Sequence, residues 1–265
     1  MINAQQFTLF LSWFGQYTSA LPADSDEFQQ NFYLKKLHSL KVCEANARIG
    51  KALGLAAPEL RLAQTIGLFH DIGRFDQYRN YRTFMDSRSI NHGELGVRVL
   101  QQSEILKHLS SATRAIIYYA VGHHNAKVLP QPASPAELLF GRLVRDADKL
   151  DIFRVVTGYY AELKKGNTDK AVALDLPDEA VISDKIYQAI LREQIADMKD
   201  LRTLNDFKIM QIGWIFDINF PPSFQLIKDG QYLEKIAATL PDIPQTQAIY
   251  AKASQYLCSK ISPCA

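Results

Sequence analysis

The chain has 265 residues, 47% of them hydrophobic and 22% charged, with a formal net charge of +2. That length suits one or two globular domains with a sizeable core. The near-neutral balance, with no Lys/Arg block, argues against a nucleic-acid or membrane partner. The apolar run Phe7 to Phe14 is short, interrupted by Thr8 and Ser12 and preceded by no Lys or Arg, so it reads as neither signal peptide nor spanning helix. Three cysteines, Cys43, Cys258 and Cys264, leave at least one unpaired and form no Cys-x-x-Cys, so a cytoplasmic setting is expected.

Taken in order, Phe7, Phe10, Leu11, Phe14 and Tyr17 recur at helical spacing and predict an amphipathic helix over residues 1 to about 20, broken by Leu21-Pro22. Asp24 with Glu27 resembles a capping box. Phe28, Phe32, Leu37, Val42, Ala45 and Ile49 mark a long helix that carries His38 and should stop at Gly54. Pro58 and Glu59 open a third, whose apolar residues Leu62, Ile66 and Phe69 lead into His70-Asp71, with Gly73 as the expected stop. Residues 75–90 mix Arg79, Arg82 and Arg88 with Tyr78, Tyr81 and Phe84, without a clean period, and predict a loop of functional length.

Asn91 and Glu94 start a helix with His92 in its first turn, and the segment Ser111 to Val121 runs into Gly122-His123-His124. Ser134-Pro135-Ala136-Glu137 is a helix start whose helix carries Asp146, Asp148 and Asp151. Beyond Gly166 helices are expected near 182–200, 203–218, 231–240 and 244–261, Pro221-Pro222 falling between them. Nothing shows strand alternation with hairpin turns or an internal repeat, so the class is all-α. The simplest organisation is one domain over residues 1–265, with a core at about 30–160 and a C-terminal helical extension from about 167.

His38, the pair His70-Asp71, His92, the pair His123-His124, and Asp148 follow one another, each roughly one helix further along. Five of the six histidines fall at helix ends or apolar-facing positions, where a charge is costly unless a bound cation compensates it. A bundle that folds these helices together converges its ligands at one point, as helical metal sites do. Singly, each has a plainer reading: a core histidine, a capping pair, a helix C-terminus suited to positive charge, a solvated acidic face.

In that order, with His-Asp-Ile-Gly-Arg at the centre and Asp-Ala-Asp-Lys-Leu-Asp near the end, the pattern resembles the HD-domain metal-dependent phosphohydrolase superfamily over roughly residues 30–160. The resemblance implies an all-α HD bundle with additional C-terminal helices. It implies that His38, His70, Asp71 and Asp148 hold a first metal, and that His92 with one or both of His123 and His124 adds a second, bridged by Asp71. The cofactors are one or two divalent transition metal ions. Imidazole and carboxylate ligands suit Mn, Fe, Co, Ni or Zn better than Mg or Ca. A metal-activated water would attack phosphorus, and Arg74, Arg88, Lys149 or Lys41 would bind the phosphate.

The expected partner is a small phosphorylated substrate, a nucleotide above all, with residues 76–90 as a lid on which Tyr78 or Tyr81 stacks against a base. A homodimer is possible. Asn125-Ala126-Lys127 after the His-His pair departs from the Gly-Tyr-Pro signature of the cyclic-dinucleotide branch and disfavours that substrate. The alternatives are a di-iron oxygenase on the same scaffold and a non-catalytic nucleotide-binding module.

Overall fold

A computed structural model describes residues 1–20, 26–163 and 176–261, and every regular element among them is helical. The Leu21-Pro22 break, the Asp24 cap, Gly166 and Cys264 lie outside the described residues. The chain packs as two compact units, residues 1–148 and 149–265. Among the described residues no helix is long and apolar enough to cross a membrane.

The first unit begins with α1 (Ala4–Ser19). Asn3 Oδ1 accepts from the Gln6 amide at 2.9 Å, while the Asn3 amide donates back to Gln6 Oε1, which closes a capping box. Phe10, Phe14 and Thr18, four apart, are its buried face. Phe10 and Trp13 meet Phe69, and Phe14 meets Phe75, at ring separations of 5.6–6.0 Å. α2 (Asp26–Ala52) ends at Gly54, which takes the positive φ of 76° that the stop requires. α3 (Ala57–Phe69) starts with Pro58 in its first turn and Glu59 accepting from the Ala56 amide. α2 and α3 lie close: Asn46 Nδ2 donates to Ala63 O at 2.8 Å, and a Cβ on Gly67 would stand 3.0 Å from the Cys43 backbone.

Gly73 does not end a helix: α3 stops at Phe69, and α4 (Ile72–Tyr81) restarts after the turn at His70 and Asp71, with Gly73 inside it. The glycine is needed for close approach, since a Cβ there would lie 2.2 Å from His92 O and 2.5 Å from Gly96 N. Residues 75–81 are helical rather than loop, because Ile72, Phe75 and Tyr78 form one buried stripe beneath the exposed arginines. Arg82, at φ 56°, ends that helix, and the loop shrinks to 82–91 around the short helix Asp86–Arg88. α5 (His92–Gln102), α6 (Ser111–His123) and the start of α7 (Pro135–Leu163) complete the unit.

The second unit is built on α9 (Leu204–Gly213), buried along its whole length and opened by a Thr203–Asp206 capping box. α8 (Asp184–Leu191), α10 (Pro221–Gly230), α11 (Tyr232–Ala237) and α12 (Pro244–Ile261) accompany it. α8 is shorter than the expected 182–200, because the chain turns at Glu193 with φ 56°. Pro221-Pro222, expected to fall between helices, instead occupies the first turn of α10, where a missing N–H costs nothing.

Candidate metal centre

The helix ends of the first unit set out the site. Leu62, Ile66 and Phe69 bury α3, so the turn that follows carries His70 and Asp71 into the interior at 0% and 3% exposure. His38 comes from the middle of α2 and Asp148 from α7, its carboxylate one-fifth exposed. His92 is the first residue of α5, and His124 follows the last turn of α6. The two approach because Gly93 faces Gly122: a Cβ on Gly93 would meet Gly122 O at 2.8 Å.

Hydrogen bonds fix which ring nitrogen of three imidazoles carries the proton. His70 Nδ1 donates to Gly67 O and His124 Nδ1 to Val121 O, each at 2.8 Å. His92 Nδ1 donates to the Asp86 carboxylate at 2.8 and 2.9 Å. All three therefore present an Nε2 lone pair when neutral. His92 Nε2 and His124 Nε2 face each other at 3.0 Å, with Asp71 Oδ1 at 3.4 and 3.6 Å. His70 Nε2 stands 3.2 Å from His38 Nε2 and 3.7 Å from both Asp71 Oδ2 and Asp148 Oδ1, and His38 Nε2 is 3.0 Å from Asp148 Oδ1.

The two oxygens of Asp71 thus face two groups of imidazole nitrogens, one on each side. Around His92, His124 and Asp71 Oδ1, lone pairs meet with no proton to share, which repels unless a cation sits among them. Ligand atoms on one tetrahedral ion with bonds of about 2.0–2.1 Å stand ~3.3 Å apart, and the separations here bracket that value. Three overlapping triplets have the geometry for an ion: His38–His70–Asp71, His70–His124–Asp148 and Asp71–His92–His124. Nitrogen and carboxylate donors together suit a divalent transition metal.

Electrostatics favour the ligand forms. Burial raises the Asp71 carboxyl, but Lys35, His70, His124 and Arg74 outweigh it and hold it well below the usual range. Asp148 is likewise held well below the usual range: burial raises it, but the neighbouring imidazoles of His38, at 3.0 Å, and His70 outweigh that. Burial pushes His92 down to about 4 even though Asp86 works against it, so its Nε2 is free at neutral pH.

Six of the seven expected ligands are brought together: His38, His70, Asp71, His92, His124 and Asp148. His123 is not in the cluster; its ring packs edge-on against Tyr119 at 5.0 Å. Among the expected phosphate binders, Arg74 lies beside the site, its Nε 3.5 Å from Asp71 and its Nη1 on Gln77, Asp86 and Phe84 O. Arg88 is exposed on the short helix, and Lys41 pairs with Glu44 at the surface. Lys149 belongs to the second unit, where it pairs with Asp217 at 2.6 Å. Tyr78 does not offer a free face: it is stacked on Phe84 at 4.6 Å and packed by Phe28 and Phe32, so only Tyr81 is exposed.

Sequence reasoning missed two residues. Lys35, one turn before His38, donates to Asp71 Oδ2 at 2.9 Å, and the i, i+3 spacing that places it was available. Asp86 had no signal, because its position depends on where the 82–91 loop folds back.

No curated protein and no solved structure matches the chain. A family model described as HD domain matches residues 37–152, a stretch that contains all six clustered ligands. Over that stretch the chain is similar to the HD domain family, whose members are mostly metal-dependent phosphohydrolases.

Proposed function

We propose that this protein is a two-metal phosphohydrolase that cleaves a phosphate ester or anhydride of a small molecule, a nucleotide being the favoured class. The observation that supports this most is the Asp71 carboxylate, flanked on both oxygens by inward-facing imidazole nitrogens. His38, His70 and Asp148 would hold one ion with Asp71, and His92 and His124 the other. Bound there, the ions supply an acidified water and neutralise phosphoryl charge. The chain's own groups do the rest. Asp71 aligns the two halves of the site. Lys35, three-quarters buried beside Asp71, and Arg74 are the cations at hand for the phosphate.

The test is elemental analysis of purified wild type beside Asp71→Ala, followed by phosphate release from a panel of nucleotides and sugar phosphates. About two equivalents of transition metal in wild type, lost in the variant together with turnover, is the expected result. A wild type without metal after supplementation with Mn, Fe, Ni and Zn would overturn the proposal.

A further inference from the structure

His70 and His124 stand at the C-terminal ends of helices, where each Nδ1 reaches a carbonyl three residues back in its own helix. His92 is the first residue of α5 and has no such carbonyl behind it. A helix N-terminus is also a poor place for an imidazole that must donate electron density to a cation. The partner that Nδ1 requires comes instead from the 82–91 loop. Asp86 takes the His92 proton with both oxygens, at 2.8 and 2.9 Å. The same carboxylate accepts from Arg74 at 3.0 Å, Gln77 at 2.8 Å and Asn125 at 3.1 Å.

Its position is secured from the loop side as well. Gln77 Nε2 also donates to Ser89 Oγ and Ile90 O, and Arg74 donates to Phe84 O. The carboxylate is only about one-third exposed. A carboxylate behind a ligating imidazole fixes its tautomer and raises the basicity of the other nitrogen.

We propose that Asp86 is a positioning residue for the ion held by His92, His124 and Asp71, and that occupancy of that position depends on the Asp86 carboxylate behind His92. The other ion, held by His38, His70, Asp71 and Asp148, has no such dependence. This rests on the two-metal reading given above, and on the site's ligands rather than on its reaction.

Equilibrium dialysis of the full chain against Mn²⁺ or Zn²⁺, read by elemental analysis, separates the possibilities. Asp86→Ala should weaken one equivalent by about 10–100-fold and leave the other within a few-fold of wild type. Gln77→Ala, which loosens the loop but keeps the carboxylate, should retain both equivalents. ¹⁵N chemical shifts of metal-free protein should show the His92 proton on Nδ1 in wild type and its redistribution in Asp86→Ala.

Unchanged binding in Asp86→Ala, or the same loss in Gln77→Ala, would overturn the proposal and leave Asp86 a loop anchor. If Asp86→Ala fails to fold, Asp86→Asn keeps an acceptor oxygen and loses the charge. It should weaken the same single equivalent, and equal weakening of both would again overturn the role. Selective loss of one equivalent without turnover of any phosphate substrate would support Asp86 and sink the reaction class alone. A wild type that binds no ion would remove both.

Discussion

The first unit buries Asp71 and the second buries Asp206, and the two carboxylates are surrounded in opposite ways. Asp206 receives only donors: the Ser183 amide at 2.8 Å, the Ser183 hydroxyl at 2.6 Å, the Arg202 amide at 2.9 Å and the Thr203 amide at 3.3 Å. Its charge is spent on holding two loop segments to the start of α9. Asp71 has a donor in Lys35, but imidazole lone pairs occupy both flanks. Burial of a carboxylate is therefore no guide to function by itself. What faces it separates a structural cap from a ligand.

The sharpest way to break that contrast is to remove each carboxylate. Asp206→Ala strands several buried donors and should lower stability by about 4 kcal/mol in urea unfolding while metal content stays at the wild-type value. Metal loss in that variant would erase the distinction. The next effect is a pH dependence of the metal-free protein that stems from the ligand cluster. Burial depresses His92 from 6.5 to about 4, so as pH falls the unfolded chain takes up the proton first. Stability is complete above about pH 6.5 and is lost as pH drops toward 4, by roughly 3 kcal/mol at about 1.4 kcal/mol per unit. Asp71 and Asp86, both pushed down, add their losses only below about 3.8. Urea melts of stripped protein across this range would show the slope, and its persistence in His92→Gln would refute the assignment.

A smaller effect tests how the ligands are brought together. Gly73→Ala places a methyl against backbone of α5, and such overpacking costs about 2 kcal/mol. Because the obstructed atom is the carbonyl of His92, the same variant should also weaken metal binding. Destabilisation with full, unweakened metal binding would show that the α4–α5 crossing is not what aims His92.

His70, Asp71, His92 and His124 are legible because each stands at a helix junction that is written locally, Leu62-Ile66-Phe69 before His70 and Asn91 before His92, whereas His38 and Asp148, inside α2 and α7, are legible only through their order in the pattern. The all-α class followed from the same periodicity. Three features were hidden for different reasons. The helical run to Tyr81 was masked by its exposed arginines, since its stripe is only Ile72, Phe75 and Tyr78. Gly73 reads as a stop because close approach to a second helix leaves no local mark. Choosing His124 over His123 required the rotation of α6, one residue's worth of which turns a ligand into a partner of Tyr119. Asp86 depends on the return path of a loop, which no spacing rule reports.

The smallest predicted effect carries an unusual sign. The Lys35 ammonium lies 2.9 Å from Asp71 Oδ2, the oxygen that also faces His38 and His70. A cation entering between those groups meets Lys35 as a competitor for the same charge. Lys35→Met should therefore tighten metal binding, by a few-fold for an interaction of about 1 kcal/mol, although most substitutions next to a metal site loosen it. The same change removes a cation from the phosphate position, so KM for a phosphorylated substrate should rise even as metal affinity improves. Competition dialysis and steady-state kinetics on one variant read both numbers. Weaker metal binding in Lys35→Met would mean that the lysine supports the ligand arrangement, and Asp71 would then resemble Asp206 more closely than the lone pairs around it indicate.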